Sequence, residues 1–124
     1  METITGNIKE GMGKGAHFLP QYAEEIKKYI GFLPFPGTLN LELDKKNKEI
    51  FEKEKTKQAP IIITPQILGS IQLFPIKIKK INHCSIIIPK KTTHPSNIIE
   101  IIADKNIKTE LQNNNNKTVS FTFL

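Results

Sequence analysis

Three short segments of this 124-residue chain carry residue types that can handle phosphate or metal. The first, Gly11-Met12-Gly13-Lys14-Gly15-Ala16, has glycine at every second position. In such a loop no side chain keeps backbone N–H groups from phosphate oxygens, and Lys14 adds a compact positive charge. A Walker A loop separates its first glycine from Gly-Lys-Ser/Thr by a longer spacer, and a dinucleotide fingerprint places its last glycine elsewhere. Taken alone, the segment reads equally well as a turn. The second segment is Pro36-Gly37-Thr38-Leu39-Asn40. Thr38 and Asn40 stand two apart, so on an extended chain their side chains share one face. A hydroxyl and an amide carbonyl are neutral oxygen donors suited to a Mg²⁺ whose other ligands are water and phosphate. From spacing alone, a polar solvent face after a Pro-Gly turn is the more economical reading. The third, Pro89-Lys90-Lys91-Thr92-Thr93-His94 followed by Glu100, could serve an anion, although a solvated loop has the same composition.

Other chemistries find little support. His17, His83 and His94 lack zinc-ligand spacing, and Cys84 beside His83 does not complete a zinc set. Cys84 lies in an apolar run, which predicts a buried, inert thiol. No Ser-His-Asp order or pair of carboxylates suggests hydrolysis.

The elements that must position these residues are mostly strands. Glu2 to Lys9 alternates, with Ile4 and Ile8 evenly spaced, and predicts a strand running into the glycine loop. From Pro20 to Ile30, Tyr22, Ala23, Ile26, Tyr29 and Ile30 recur at helical spacing, with Pro20 placed for a first turn and Gly31 just past the end. Thr38 to Leu43 alternates again, with Leu39, Leu41 and Leu43 on one side. Asp44 to Lys57 is charged and predicts an exposed loop or short helix. Pro60 to Thr64, Ser70 to Lys80 and Asn82 to Ile88 are isoleucine-rich runs bounded by breakers. Ile98 to Ile102 fits strand or helix, Lys105 to Leu111 a short helix, and Thr118 to Leu124 a closing strand. Six or seven short strands and one or two short helices make a mainly β chain, whose edges are best resolved by closure into a barrel.

Composition narrows the setting. The 18 basic residues are all lysine against 12 acidic ones, giving a net charge of +6. That balance suits a polyanion, yet a chain rich in Lys, Ile and Asn also arises from A/T-biased coding alone. The missing arginine counts against bidentate reading of bases. One cysteine excludes a disulfide scaffold. No apolar run is long enough to span a bilayer, and the first residues do not resemble a signal peptide, so the expected setting is the cytoplasm, with no membrane partner.

Taken in order, the segments resemble the archaeal-type CTP-dependent riboflavin kinase family. The resemblance is carried by the glycine loop with Phe18 and Tyr22, by Gly31-Phe32-Leu33-Pro34-Phe35-Pro36-Gly37-Thr38-Leu39-Asn40, by Phe74-Pro75-Ile76-Lys77-Ile78, by Ile88-Pro89-Lys90-Lys91-Thr92 with His94, and by Ile99-Glu100-Ile101-Ile102-Ala103. It covers roughly Thr5 to Phe123. It implies a single six-stranded cradle-loop β-barrel over residues 1–124, without the N-terminal helix-turn-helix domain that family members often carry. It implies transfer of the γ-phosphate of CTP to the ribityl 5′-hydroxyl of riboflavin, giving FMN and CDP with Mg²⁺. By similarity, Gly11, Met12, Gly13, Lys14, Gly15 and Ala16 would wrap the nucleotide phosphates, and Lys105, Asn106, Ile107 and Lys108 would contact the cytidine nucleotide. Thr38 and Asn40 would coordinate Mg²⁺, and Thr92 and Glu100 would contact the flavin. No general base is assigned, Glu100 and His94 being the named candidates. The chain departs from the family pattern in Lys14 for a usual acidic residue, Asp104 for a proline, Lys108 for an arginine and the Asn113 to Asn116 run for a glycine turn. The expected partners are CTP/CDP and riboflavin/FMN, with no nucleic acid and a monomeric protein. The competing readings are a small basic barrel that binds nucleic acid, which the scarcity of aromatic stacking platforms disfavours, and an inactive flavin-binding relative.

Overall fold

A computed structural model describes residues 2–9, 15–65, 69–90, 96–112 and 117–124. In chain order its elements are β1 (Ile4–Lys9), α1 (Gly15–Ile30), β2 (Leu39–Glu42), α2 (Lys45–Lys55), β3 (Ile61–Ile63), β4 (Ile71–Ile78), β5 (Ile81–Pro89), β6 (Ile98–Ala103), α3 (Ile107–Gln112) and β7 (Thr118–Phe123). Every pairing is antiparallel, in the order β3-β4-β5-β6-β2-β1-β7, and β7 returns to pair with β4. Six strands therefore close a barrel, and β3 is a seventh strand outside the ring. One edge of β4 serves two partners: Ile71 to Leu73 pair with β3, and Ile76 to Ile78 pair with β7. Pro75 lies at the changeover, where its missing N–H leaves no ladder bond unmade, while its carbonyl accepts from Leu124 N at 3.1 Å.

Alternation fills the barrel from one face of each strand. Ile4, Leu39, Leu41, Leu43, Ile76, Ile86, Ile101 and Phe121 belong to the interior cluster. Gly6 interrupts this face of β1. A Cβ there would stand 3.0 Å from Leu41 Cβ and 3.0 Å from a Leu43 methyl carbon. Phe123 is the aromatic hub, with Phe51, Phe74 and Phe121 at centroid separations of 5.8, 6.0 and 6.2 Å. A second cluster lies on the outer face of the sheet, where Leu19, Tyr22 and Ile26 of α1 cover Ile63, Ile71, Leu73, Ile87 and Ile102.

The helices depart most from the sequence reading. There are three among the described residues rather than one or two, and the longest, α1, has 16 residues. It begins at Gly15, which makes Pro20 an interior residue instead of a first-turn one and places Gly15 and Ala16 in the helix rather than the loop. Packing of Leu19, Tyr22 and Ile26 on the sheet offsets the backbone bond that Pro20 forgoes. Gly31 follows the helix at φ 85°, with its N–H bonded to Lys27 O at 2.9 Å, as its position predicted.

Of the two alternatives for the charged Asp44–Lys57 region, the short helix forms, and it has a buried face at Phe51 and Glu54. Asp44 caps it, its carboxylate accepting from Asn47 N at 2.8 Å, which together with the Asn47 side chain lowers the Asp44 pKa. Asn47 in turn accepts from Thr5 N, Phe51 enters the barrel core, and Glu54 is buried. The Glu54 carboxylate accepts from Glu2 N at 2.8 Å and pairs with Lys57 at 2.7 Å, and these contacts hold its pKa below the usual value of 4.5.

Two outcomes follow from this packing. Gly6→Ala will lower stability by about 1–3 kcal/mol, because its methyl group meets β2 inside a closed barrel, read as a lower denaturant midpoint. The lowered Glu54 pKa means that the unfolded chain takes up this proton first. Its contribution is therefore present above the unfolded pKa near 4.5 and is lost as pH falls through the folded value. Glu54→Gln will flatten the acid limb of a stability–pH profile, and an unchanged limb would contradict this role.

Candidate active site

The site begins with a turn that only glycine makes cheaply. Gly37 has φ 127°, and Phe35 N donates to Ala103 O at 2.7 Å, tying the segment ahead of β2 to the end of β6. From that anchor β2 and β6 pair with Leu39 opposite Ile101, Asn40 opposite Glu100, and Leu41 opposite Ile99. Directly paired residues point to the same side of a sheet. Leu39 and Leu41 face the barrel interior, so Asn40 and Glu100 share the outer face. The row continues, because Glu100 also pairs with Ile87 on β5 and Asn40 with Lys9 on β1.

Asn40 and Glu100 are buried, at 6% and 7% exposure. That corrects the solvent-face reading of Asn40: only Thr38 and Glu42 of that side remain partly accessible. Thr38 Oγ1 donates to Glu100 Oε1 at 3.1 Å. Asn40 Oδ1 is buried without a hydrogen-bond partner among the described residues, an arrangement that typically costs about 1–3 kcal/mol. The structure thus gathers a hydroxyl, an unsatisfied amide oxygen and a carboxylate from two adjacent strands. These are hard oxygen donors, and a Mg²⁺ with mostly water and phosphate ligands fits them. No cluster of three or more His, Cys, Asp or Glu suited to a metal occurs among the described residues, so a site built wholly from such ligands is not part of the described structure.

The other predicted residues are distributed around this centre. Lys9, the last residue of β1, stands opposite Asn40. Gly11, Met12, Gly13, Lys14 and Thr92 lie outside the described residues, as does His94. Gly15 and Ala16 open α1. Lys105 and Asn106 are exposed in the turn after β6. Asn106 caps α3, its side chain accepting from Thr109 N at 3.2 Å and its carbonyl from Glu110 N at 3.0 Å. Ile107 is buried in the barrel core, which leaves only its backbone for a ligand, and Lys108 lies in α3.

A half-open cleft of about 160 Å³ adjoins Glu100. Its walls include Phe51 and Lys55 of α2 together with Ile87, Ile88 and Ile98 of the β5–β6 pair. The sequence reading missed the α2 wall. Its signal was present in Asn47, Phe51 and Glu54, which recur at helical spacing within the charged run. A larger cleft of about 270 Å³, lined by Tyr29, Phe32, Pro75 and His83 among others, contains none of the predicted site residues.

With the geometry in place, comparison with known proteins is decisive. The family model CTP-dep_RFKase, described as a domain of unknown function (DUF120), matches residues 8–123. The chain belongs to the CTP-dependent riboflavin kinase family. It is 38% identical over 115 residues to the riboflavin kinase of Sulfurisphaera tokodaii, covering 87% of this chain and 85% of the relative. To the riboflavin kinase of Saccharolobus solfataricus it is 37% identical over 117 residues, covering 87% of this chain and 66% of the relative. The riboflavin kinase of Methanobrevibacter smithii is 33% identical over 122 residues, covering 97% of this chain and 98% of the relative. The match begins near the end of β1 and ends at the last residue of β7, so it takes in five of the six barrel strands whole and the last two residues of β1. No helix among the described residues is long and apolar enough to cross a membrane.

Cys84 takes no part in this centre. Burial pushes its thiol up to about 11, and its Sγ donates to Ile76 O at 3.4 Å. Native protein at pH 8 will therefore react slowly with a thiol reagent and stoichiometrically once unfolded; fast labelling of folded protein would contradict the buried placement.

Proposed function

We propose that this protein is a CTP-dependent riboflavin kinase, which transfers the γ-phosphate of CTP to the ribityl 5′-hydroxyl of riboflavin and yields FMN and CDP with Mg²⁺. The observation that carries this reading is the pairing of Asn40 with Glu100, with Thr38 bonded to the same carboxylate. Adjacent strands lie about 4.8 Å apart. A metal-bound phosphate on the Thr38–Asn40 side and a flavin hydroxyl on the Glu100 side would thus meet within reach of each other. The relatives' names and the family's name support the reaction class and the nucleotide.

Phosphoryl transfer depends chiefly on positioning and on neutralising charge spread over the transferred oxygens. Thr38 Oγ1 and Asn40 Oδ1 would hold Mg²⁺, and the burial of Asn40 makes that oxygen costly to leave without a partner. Bound Mg²⁺ supplies charge neutralisation on the phosphate oxygens. Backbone N–H groups of Gly11 to Ala16, the last two of them at the start of α1, would cradle the phosphates together with the Lys14 ammonium. Lys105, Asn106, Ile107 and Lys108 would contact the cytidine. Thr92 and Glu100 would contact the flavin, Glu100 orienting the ribityl end toward the phosphate. The partners are CTP/CDP and riboflavin/FMN, and the setting is the cytoplasm.

The test mixes purified protein, riboflavin, Mg²⁺ and each nucleoside triphosphate in turn. FMN forms with CTP as the preferred donor; absence of FMN with every donor would refute the reading. Thr38→Ala and Asn40→Ala will each lower kcat by at least about a hundredfold while the far-ultraviolet dichroism stays that of the parent. Near-normal turnover in both variants would remove the Mg²⁺ assignment.

A further inference from the structure

Among the lysines in the described ion pairs, Lys55 is the exception. The side chains of Lys9, Lys53 and Lys57 are 51%, 56% and 60% exposed, whereas that of Lys55 is 28% exposed. Its ammonium stands 5.3 Å from the Phe51 ring centroid, one helical turn back on α2, and 3.2 Å from Glu52 Oε2. An (i, i+3) surface pair contributes at most about 1 kcal/mol, and Lys57 makes a shorter one while staying in solvent. The ion pair alone therefore does not account for the tucked position. The distinguishing feature is the cleft. Lys55 and Phe51 line it together with isoleucines of β5 and β6 and with Glu100.

We propose that Lys55 is a positioning residue that holds the pyrimidine edge of the flavin ring. The inference rests on the reading that Glu100 contacts the flavin. Thr38 and Asn40 do not line the cleft, and Lys55 is not in contact with either of them through any hydrogen bond or ion pair described for it. The phosphate-accepting end of the substrate thus belongs outside the cleft, and the ring belongs inside it. A flat, largely apolar ring suits a cleft lined by Phe51 and by the partly accessible Ile88 and Ile98. The acceptors on such a ring are concentrated at its pyrimidine edge, in two carbonyl oxygens and the ring nitrogens. A lysine ammonium donates to these groups and carries no acceptor of its own. A cation at this edge also stabilises the flavin that has lost its N3 proton.

The test uses fluorescence titration of the full chain with riboflavin and with lumiflavin, which keeps the ring but lacks the ribityl chain. Lys55→Met will weaken binding of both by about tenfold, the scale of one charge-assisted hydrogen bond, and Lys55→Arg will retain most of the affinity. Lys53→Met, at the same helix end but paired outward with Glu2, will bind both as the parent does. In the parent, the bound flavin will lose its N3 proton at lower pH than in Lys55→Met, followed by absorbance. Unchanged lumiflavin affinity in Lys55→Met overturns the inference, including the case in which riboflavin or FMN alone binds more weakly, since Lys55 would then serve the ribityl or phosphate end. Equal losses in Lys53→Met and Lys55→Met also overturn it, by assigning the effect to the helix end. Parent protein that binds neither flavin refutes the underlying flavin reading, which separates that failure from the failure of Lys55 alone.

Discussion

The antiparallel register between β2 and β6 is the constraint on which the site depends. With Leu39 opposite Ile101 and Asn40 opposite Glu100, the leucines of β2 fill the barrel and the polar pair shares its outer face. Side chains alternate with a period of two, so a slip by one residue would send Asn40 inward among isoleucines and expose Leu39 and Leu41. The penalty for burying an amide in that interior, added to the lost burial of two leucines, makes the observed register the stable one. Barrel closure strengthens it: β7 pairs with both β1 and β4, so a shift at β2 would have to propagate around the ring.

The helices extend this arrangement in two directions. On the outer face α1 covers Ile87 and Ile102, the neighbours of Glu100 in the cross-strand row and along β6. The same row thus passes from a dry layer under α1 to the buried polar pair. From the other side α2 inserts Phe51 against Phe123 in the barrel core and is tied to the start of the chain by Asn47 to Thr5 and Glu54 to Glu2. An element that closes the core also forms one wall of the cleft beside Glu100.

Charge is a weaker guide than its size suggests. The chain has 18 lysines and no arginine, but three of the four lysines in the described ion pairs are more than half exposed. Such pairs are screened and contribute little. Lys55 differs through its place beside Phe51 at the cleft, which no count of charges reveals.

Several features could be read directly from residue order. Alternation located the strands around Leu39, Leu41 and Leu43, because half-burial in a closed barrel imposes a period of two. Gly31 marked the end of α1, since the left-handed conformation there favours glycine. The ordered motifs pointed to the riboflavin kinase family. Other features needed the fold. The start of α1 at Gly15 depends on packing that overrides Pro20, and the buried face of α2 lies within a run that looks solvated. Above all, Thr38 and Glu100 are separated by 62 residues, and only strand pairing brings their oxygens within 3.1 Å. Sequence by itself determined which faces seek the core, because alternation is a local property of the backbone. Tertiary structure alone decided which polar residues meet, because register is a relation between strands that no single strand contains.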